Sequence, residues 1–164
     1  MNILDFAMQM ELDGKTHYES LEQETPVAGL KKIFSILAAD EQKHYDVVGA
    51  MKTGVTPEMA DSTALEDAKH IFQTLQIEES LLDELKTKLD AYRYAMKIEA
   101  DSIQLYEDIA RRERTGGNPA VLPLLVKIIE EEKKHYNIVE NIHGLIAKYE
   151  DFLVWHEFSA IRKS

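Results

Sequence analysis

Four long stretches of the chain carry apolar residues at alternating spacings of three and four, and each stretch breaks its own pattern with an acid. From about 3 to 23 the stripe is Leu4, Ala7, Glu11, Gly14, Tyr18, Leu21, with Asn2 placed to cap the helix and Asp5 in its first turn. From 26 to 52 it is Leu30, Phe34, Leu37, Glu41, His44, Val48, Met51. Thr25-Pro26 reads as a stop and restart, with Pro26 in the first turn, and Gly54 as the end of the helix. From 88 to 114 it is Tyr92, Ala95, Glu99, Ser102, Tyr106, Ile109, with Thr87 and Asp90 as the expected cap. From 120 to 148 it is Leu125, Ile128, Glu132, His135, Val139, Ile142, Ile146, after a Gly116-Gly117-Asn118-Pro119 turn and with Pro123 in the first turn.

The connections define the topology. The first and second helices, and the third and fourth, are joined by short turns, so each pair is antiparallel. The link of about 35 residues between the second and third lets those two run parallel. That link carries a short amphipathic helix over about 64–76, with Leu65, Ala68, Ile71 (or Phe72) and Leu75 on its apolar side and Thr63 and Glu66 at capping-box spacing. A further turn or two is expected around Leu81–Leu85. The tail, 149–164, contains Trp155 and Phe158 and reads as a short fifth helix or a docking segment. The expectation is an all-α chain forming one domain over 1–164: a four-helix bundle with one long crossover.

The acids in the core register form a repeat. Glu41 and His44, and Glu132 and His135, are each three residues apart, which on a helix puts both side chains on one face. Glu11 lies 30 residues before Glu41 and Glu99 lies 33 before Glu132, each with a tyrosine seven residues on, Tyr18 and Tyr106. One Glu-x-x-His on a Glu- and Lys-rich helix is most often a solvated face; two in register with a third and fourth glutamate are not. A single unpaired carboxylate in a dry core costs several kcal/mol or takes up a proton. Four together would overwhelm a bundle whose net stability is about 5–15 kcal/mol. Two divalent metal ions would cancel four carboxylates with both imidazoles neutral, and the mixed carboxylate–imidazole set suits iron or manganese. In this reading Glu41 and Glu132 bridge the two ions, Glu11 and Glu99 are terminal ligands, and His44 and His135 hold one ion each. Tyr18 and Tyr106 are read as hydroxyl donors to ligating carboxylates, with plain core aromatics as the equal alternative. Gly14 and Ser102, one turn past Glu11 and Glu99, leave room for a small ligand, or serve close helix packing. No catalytic residue is expected beyond the metal centre.

The remaining polar residues are given structural roles. His17, His70, His143 and His156 have no counterparts in the repeat and are expected at the surface or its boundary. Asp40 and Glu131 are expected to face solvent or a neighbouring helix, Asp101 to point away from the seam, and Tyr45 and Tyr136 to pack. Met8, Met10, Met51 and Met96 are core filler.

Composition narrows the class. A formal charge of −11 argues against nucleic acid or an anionic membrane as partner. The absence of cysteine excludes disulfides and thiolate-ligated metal within these residues. The start, Met1-Asn2-Ile3-Leu4-Asp5, has no basic segment, and no run of about 20 apolar residues exists, so a cytoplasmic location is expected.

Glu11…Tyr18, Glu41-Gln-Lys-His44, Glu99…Tyr106 and Glu132-Lys-Lys-His135 together resemble the rubrerythrin branch of the ferritin-like superfamily, across all four long helices. The resemblance implies a ferritin-like bundle holding two iron ions, with manganese or adventitious zinc as alternative metals, and a chain that forms a homodimer or larger homo-oligomer. It implies reduction of hydrogen peroxide or reaction with dioxygen, or else ferroxidase and iron-storage behaviour. Full-length rubrerythrins add a Cys-ligated iron domain that supplies electrons; with no cysteine here, the electron donor is expected to be a separate redox protein or small reductant. Rubrerythrins also carry an additional glutamate on the third helix, where this chain has Asp101 and Ser102.

Overall fold

The computed structural model describes residues 2–148 and the backbone of residues 161–162. Four long helices dominate: α1 (Ile3–Glu24), α2 (Ala28–Lys52), α5 (Leu89–Gly116) and α6 (Leu122–Ala147). Two short ones, α3 (Ala64–Thr74) and α4 (Leu82–Lys86), lie in the crossover between α2 and α5. A one-turn 3-10 segment precedes α4 (Glu79–Leu81) and another precedes α6 (Pro119–Val121). Ile77–Glu78 (β1) pairs in parallel with Ile161–Arg162 (β2). Trp155, Phe158 and the rest of the expected tail helix lie outside the described residues.

Cross-helix pairs fix the directions. Lys52 is ion-paired with Asp5 and Lys31 Nζ donates to Glu22 O (2.6 Å), so α1 and α2 are antiparallel. Tyr18 meets Glu99 and Tyr106 meets Glu11, so α1 and α5 are antiparallel too. It follows that α2 and α5 run parallel, as the long crossover requires. Among the described residues no helix is long and apolar enough to cross a membrane.

The helix ends follow local chemistry, with three departures from the sequence expectation. Asn2 caps α1 as expected: its Oδ1 accepts from Leu4 N (2.8 Å) while Asp5 accepts from Asn2 N. Gly54 ends α2 with φ +86°, a conformation that suits a residue without Cβ. Pro26, however, stands before α2 rather than in its first turn. Thr25 Oγ1 accepts from Val27 N (3.3 Å) in a local turn, and buried, extended Val27 takes the cap position. Thr63 forms no cap on α3; the donor at Ala64 goes to Ser62 Oγ (3.1 Å) instead. Thr87 closes α4, its hydroxyl donating to Glu84 O (2.6 Å), and leaves Lys88 at the start of α5.

The stripes face inward. Every residue of the α2, α5 and α6 stripes is buried, and so are all of α1's except Leu4, which is half-buried. The apolar core nevertheless falls into two clusters. One contains Tyr18, Phe34, Tyr92, Val139 and the crossover residues Ile71, Ile77 and Leu85. The other contains Ala7, Val48, Tyr106, Leu125 and Ile128. Along each helix the acids and histidines sit between residues of the two clusters, forming a polar layer inside the bundle.

Candidate metal centre

That layer consists of Glu11 from α1, Glu41 and His44 from α2, Glu99 from α5, and Glu132 and His135 from α6, all with no solvent exposure. Their side-chain atoms form two overlapping groups, each spanning less than 4.8 Å: Glu11, Glu41, His44, Glu132 and Glu41, Glu99, Glu132, His135. Glu41 and Glu132 belong to both; Glu11 with His44 and Glu99 with His135 belong to one each. This is the pattern that three-residue spacing on α2 and α6 dictates, because each of those helices contributes an acid and an imidazole from one face.

The imidazoles are held by carboxylates of the opposite helix. His44 Nε2 donates to Glu131 Oε1 (2.9 Å) and His135 Nε2 donates to Asp40 Oδ2 (2.8 Å), so α2 and α6 are also antiparallel. Burial works to raise both carboxylates, but the hydrogen bonds from the histidines, and from Ser62 and Lys43, hold Asp40 and Glu131 below the ordinary carboxylate range. Ionised acceptors keep the proton on each Nε2, and the other ring nitrogen, Nδ1, then points into the cluster. His44 Nδ1 lies 3.0 Å from Glu132 Oε1 and His135 Nδ1 lies 2.9 Å from Glu41 Oε1. The two rings stack at 5.9 Å.

Asp40 and Glu131 thus face a neighbouring helix, one of the two options open to them from sequence, and are part of the site. The signal for them was present: each stands immediately before the glutamate of a Glu-x-x-His, in both halves of the repeat. Lys43 and Ser62 were also passed over. Lys43 Nζ contacts Glu131 Oε1 (3.0 Å), while Ser62, in the crossover, donates its hydroxyl to Asp40 and its N–H to Glu131 Oε2 (3.2 Å). No local pattern marks a loop serine as a partner of two helices.

The tyrosines cross between halves. Tyr18 donates to Glu99 Oε1 (2.8 Å) and Tyr106 to Glu11 Oε1 (2.7 Å). Glu11 and Glu99 therefore each have one oxygen engaged by a phenol and the other, Oε2, with no hydrogen-bond partner. Asp101 is exposed and paired with Lys97 (2.5 Å), whereas Ser102 is fully buried with its hydroxyl unpartnered. His17 Nε2 donates to Ala91 O (2.8 Å) from a half-buried position, His70 is exposed, His143 meets Arg93 (3.0 Å), and His156 is outside the described residues.

Several atoms here fit a cation and little else. Glu11 Oε2, Glu41 Oε2, Glu99 Oε2, both oxygens of Glu132 and His44 Nδ1 are fully buried without a hydrogen-bond partner. Natives leave few such groups, because each costs about 1–3 kcal/mol. Here they converge, and all are hard or borderline donors. The space at Gly14 is part of the same cradle: a Cβ there would stand 2.9 Å from Glu41 Oε2. Since the obstructed atom is the end of a flexible side chain, Gly14→Ala should fold normally, with up to about 1 kcal/mol gained in helix propensity. It should displace the Glu41 carboxylate and weaken metal binding about tenfold or more. Thermal unfolding and metal titration of the same variant check the two opposite signs.

Without a cation, burial and neighbouring charge push Glu41 and Glu99, and neighbouring carboxylates push His44 and His135, toward their protonated forms. Burial, and the charge of Glu132, push Glu99 up to about 8; burial and the neighbouring carboxylates push Glu41 well up. Burial opposes charge on the imidazoles, yet the carboxylates around them raise both His44 and His135 well above the usual value. Glu132 is lowered despite its burial, because both imidazoles face it. A metal ion requires the unprotonated forms, so its entry must expel protons from Glu41, Glu99 and the Nδ1 atoms. Affinity should therefore rise steeply with pH and fall as acid restores those protons. Calorimetric titration in buffers of different ionisation enthalpy should record net proton release near pH 7.

Searches of curated proteins and of solved structures gave no match. The rubrerythrin family model matches residues 2–144, which covers α1, α2 and α5, all but the last three residues of α6, and every residue of the layer. A buried Glu/His layer that fits a metal site, in an all-α ferritin-like bundle, places the chain in the rubrerythrin family.

Proposed function

We propose that this chain is a non-haem di-iron oxidoreductase that reduces hydrogen peroxide, or reacts with dioxygen, using electrons from a separate donor. The observation that carries the reading is the pair of overlapping carboxylate–imidazole groups sharing Glu41 and Glu132. Carboxylates common to both groups would hold two ions, and two iron ions bound there would supply two-electron redox chemistry toward an O–O bond.

The protein's own residues supply the rest. Glu41 and Glu132, common to both groups of donors, would be shared between the two ions, Glu11 and Glu99 would serve as terminal ligands, and His44 and His135 would each offer Nδ1 to one ion. Tyr18 and Tyr106 hold the terminal carboxylates in place by their hydroxyl hydrogen bonds, and Asp40 and Glu131 fix the tautomer and tilt of the two imidazoles. With every one of the six inner residues shut off from solvent, bulk water is excluded and only a small oxidant can enter. Four carboxylates and two imidazoles form a hard, oxygen-rich set that suits iron or manganese and differs from the thiolate sets typical of structural zinc.

A second reading, ferroxidase or iron buffering without sustained turnover, is favoured by the absence of cysteine: these residues contain no thiolate-ligated centre to return electrons. Steady-state kinetics of the iron-loaded chain with an added reductant separates the two. Sustained peroxide consumption, faster than dioxygen consumption at equal concentration, is the expected result. A single stoichiometric oxidation followed by arrest would select the buffering reading.

A further inference from the structure

The two halves of the site match in their inner residues and differ in what stands behind them. Behind each histidine, one carboxylate oxygen accepts the Nε2–H: Glu131 Oε1 for His44 and Asp40 Oδ2 for His135, at 2.9 and 2.8 Å. The second donor on those same oxygens is not the same. Glu131 Oε1 also takes the Lys43 ammonium at 3.0 Å. Asp40 Oδ2 takes the neutral Ser62 hydroxyl, and Lys43 stands farther away, 3.7 Å from the other oxygen, Oδ1. The repeat explains part of this. Lys43 and Lys134 are equivalent positions, each one residue before the histidine, but among the described residues only Lys43 of the two meets the outer carboxylates.

An oxygen that already neutralises a cation is a weaker acceptor for its second hydrogen bond. It polarises the imidazole N–H less, and the far nitrogen of that ring becomes a poorer donor to a metal. Glu131 Oε1 is in this state; Asp40 is less so, because Lys43 reaches only its other oxygen, at 3.7 Å. Resting on the two-metal reading above, we infer that Lys43 makes the two metal positions unequal: the position formed with Glu99 and His135 takes a divalent cation first and more tightly, and the position formed with Glu11 and His44 second. Lys43 touches no metal in this scheme. It is a positioning residue that acts through Glu131; Ser62 gives a neutral donor to each outer carboxylate, its hydroxyl to Asp40 and its N–H to Glu131, so the closer ammonium is what differs between them.

The bland alternative is that Lys43 only pins the crossover, since its ammonium also donates to Ala60 O at 3.0 Å. The experiment must separate charge from pinning. The full chain, freed of metal, is titrated anaerobically with isotopically enriched ferrous iron and followed by Mössbauer spectroscopy. In the unaltered protein the first equivalent should fill one position, seen as one quadrupole doublet, and the two dissociation constants should differ about tenfold or more. Lys43→Met should fill both positions in parallel, while Lys43→Arg, which keeps the cation, should retain the stepwise order. His44→Ala should keep the tight equivalent and His135→Ala should lose it. Two doublets growing together in the unaltered protein, unchanged order in Lys43→Met, parallel filling in Lys43→Arg, or a tight equivalent surviving His135→Ala would each overturn the inference. Two irons bound equally would overturn it alone and leave the dimetal reading standing. No iron bound at all would overturn both.

Discussion

Glu132→Ala is expected to lose the paired metal site and, with it, peroxide reduction, while staying folded. Glu132 belongs to both groups of candidate donors, so no other single change except at Glu41 removes an atom from both positions. Loss of an outer hydrogen-bond partner typically weakens a metal site about 10–100-fold, and removal of a bridging carboxylate should exceed that range at both positions. The fold should survive because the two apolar clusters that flank the layer are untouched by the change. Glu130→Ala, at an exposed position two residues from Glu132 along α6, is the matched control and should change neither metal content nor turnover. Full iron content and full turnover in both Glu132→Ala and Glu41→Ala would remove the assignment.

Metal loading should raise the thermal stability of the chain by a margin larger than any single surface interaction gives. The folded bundle assembles the donors from four helices, and the unfolded chain separates them, so binding free energy becomes folding free energy. At a free metal concentration a thousandfold above the dissociation constant, each position adds about 4 kcal/mol. For a chain of this size each kcal/mol moves the midpoint by about 2–4 °C, which predicts a rise of roughly 16–32 °C for both positions. Calorimetric scans with ferrous or manganous ion, and again after chelation, measure this. Coincident midpoints would mean that the buried acids are satisfied by protons and hydrogen bonds alone.

The inner part of this layer was legible because helices convert spacing into direction. Glu11, Glu41, Glu99 and Glu132 occupy core positions by counting threes and fours, and the counts hold whatever the loops do. The outer part was not, because it depends on how α2 and α6 meet. Asp40 and Glu131 lie one residue off the seam, on a flank that a single helix cannot distinguish from a solvated one. Antiparallel pairing turns that flank toward the opposite histidine. Ser62 was beyond reach for a different reason: its position follows from the path of the crossover, not from any period. Helix starts failed where loop residues found local partners. The Thr25 turn displaced Pro26 from the first turn of α2, and Ser62, a residue earlier than expected, accepts from the start of α3.

Anaerobic titration of the metal-stripped chain with ferrous iron, read as tightly bound iron per chain, bears most directly on the central claim. Two per chain is the predicted result, with Glu132→Ala failing to reach it. Zero or one per chain, in a bundle that remains folded, would contradict the account: the unpartnered oxygens and nitrogen of the layer would then be satisfied without a metal pair.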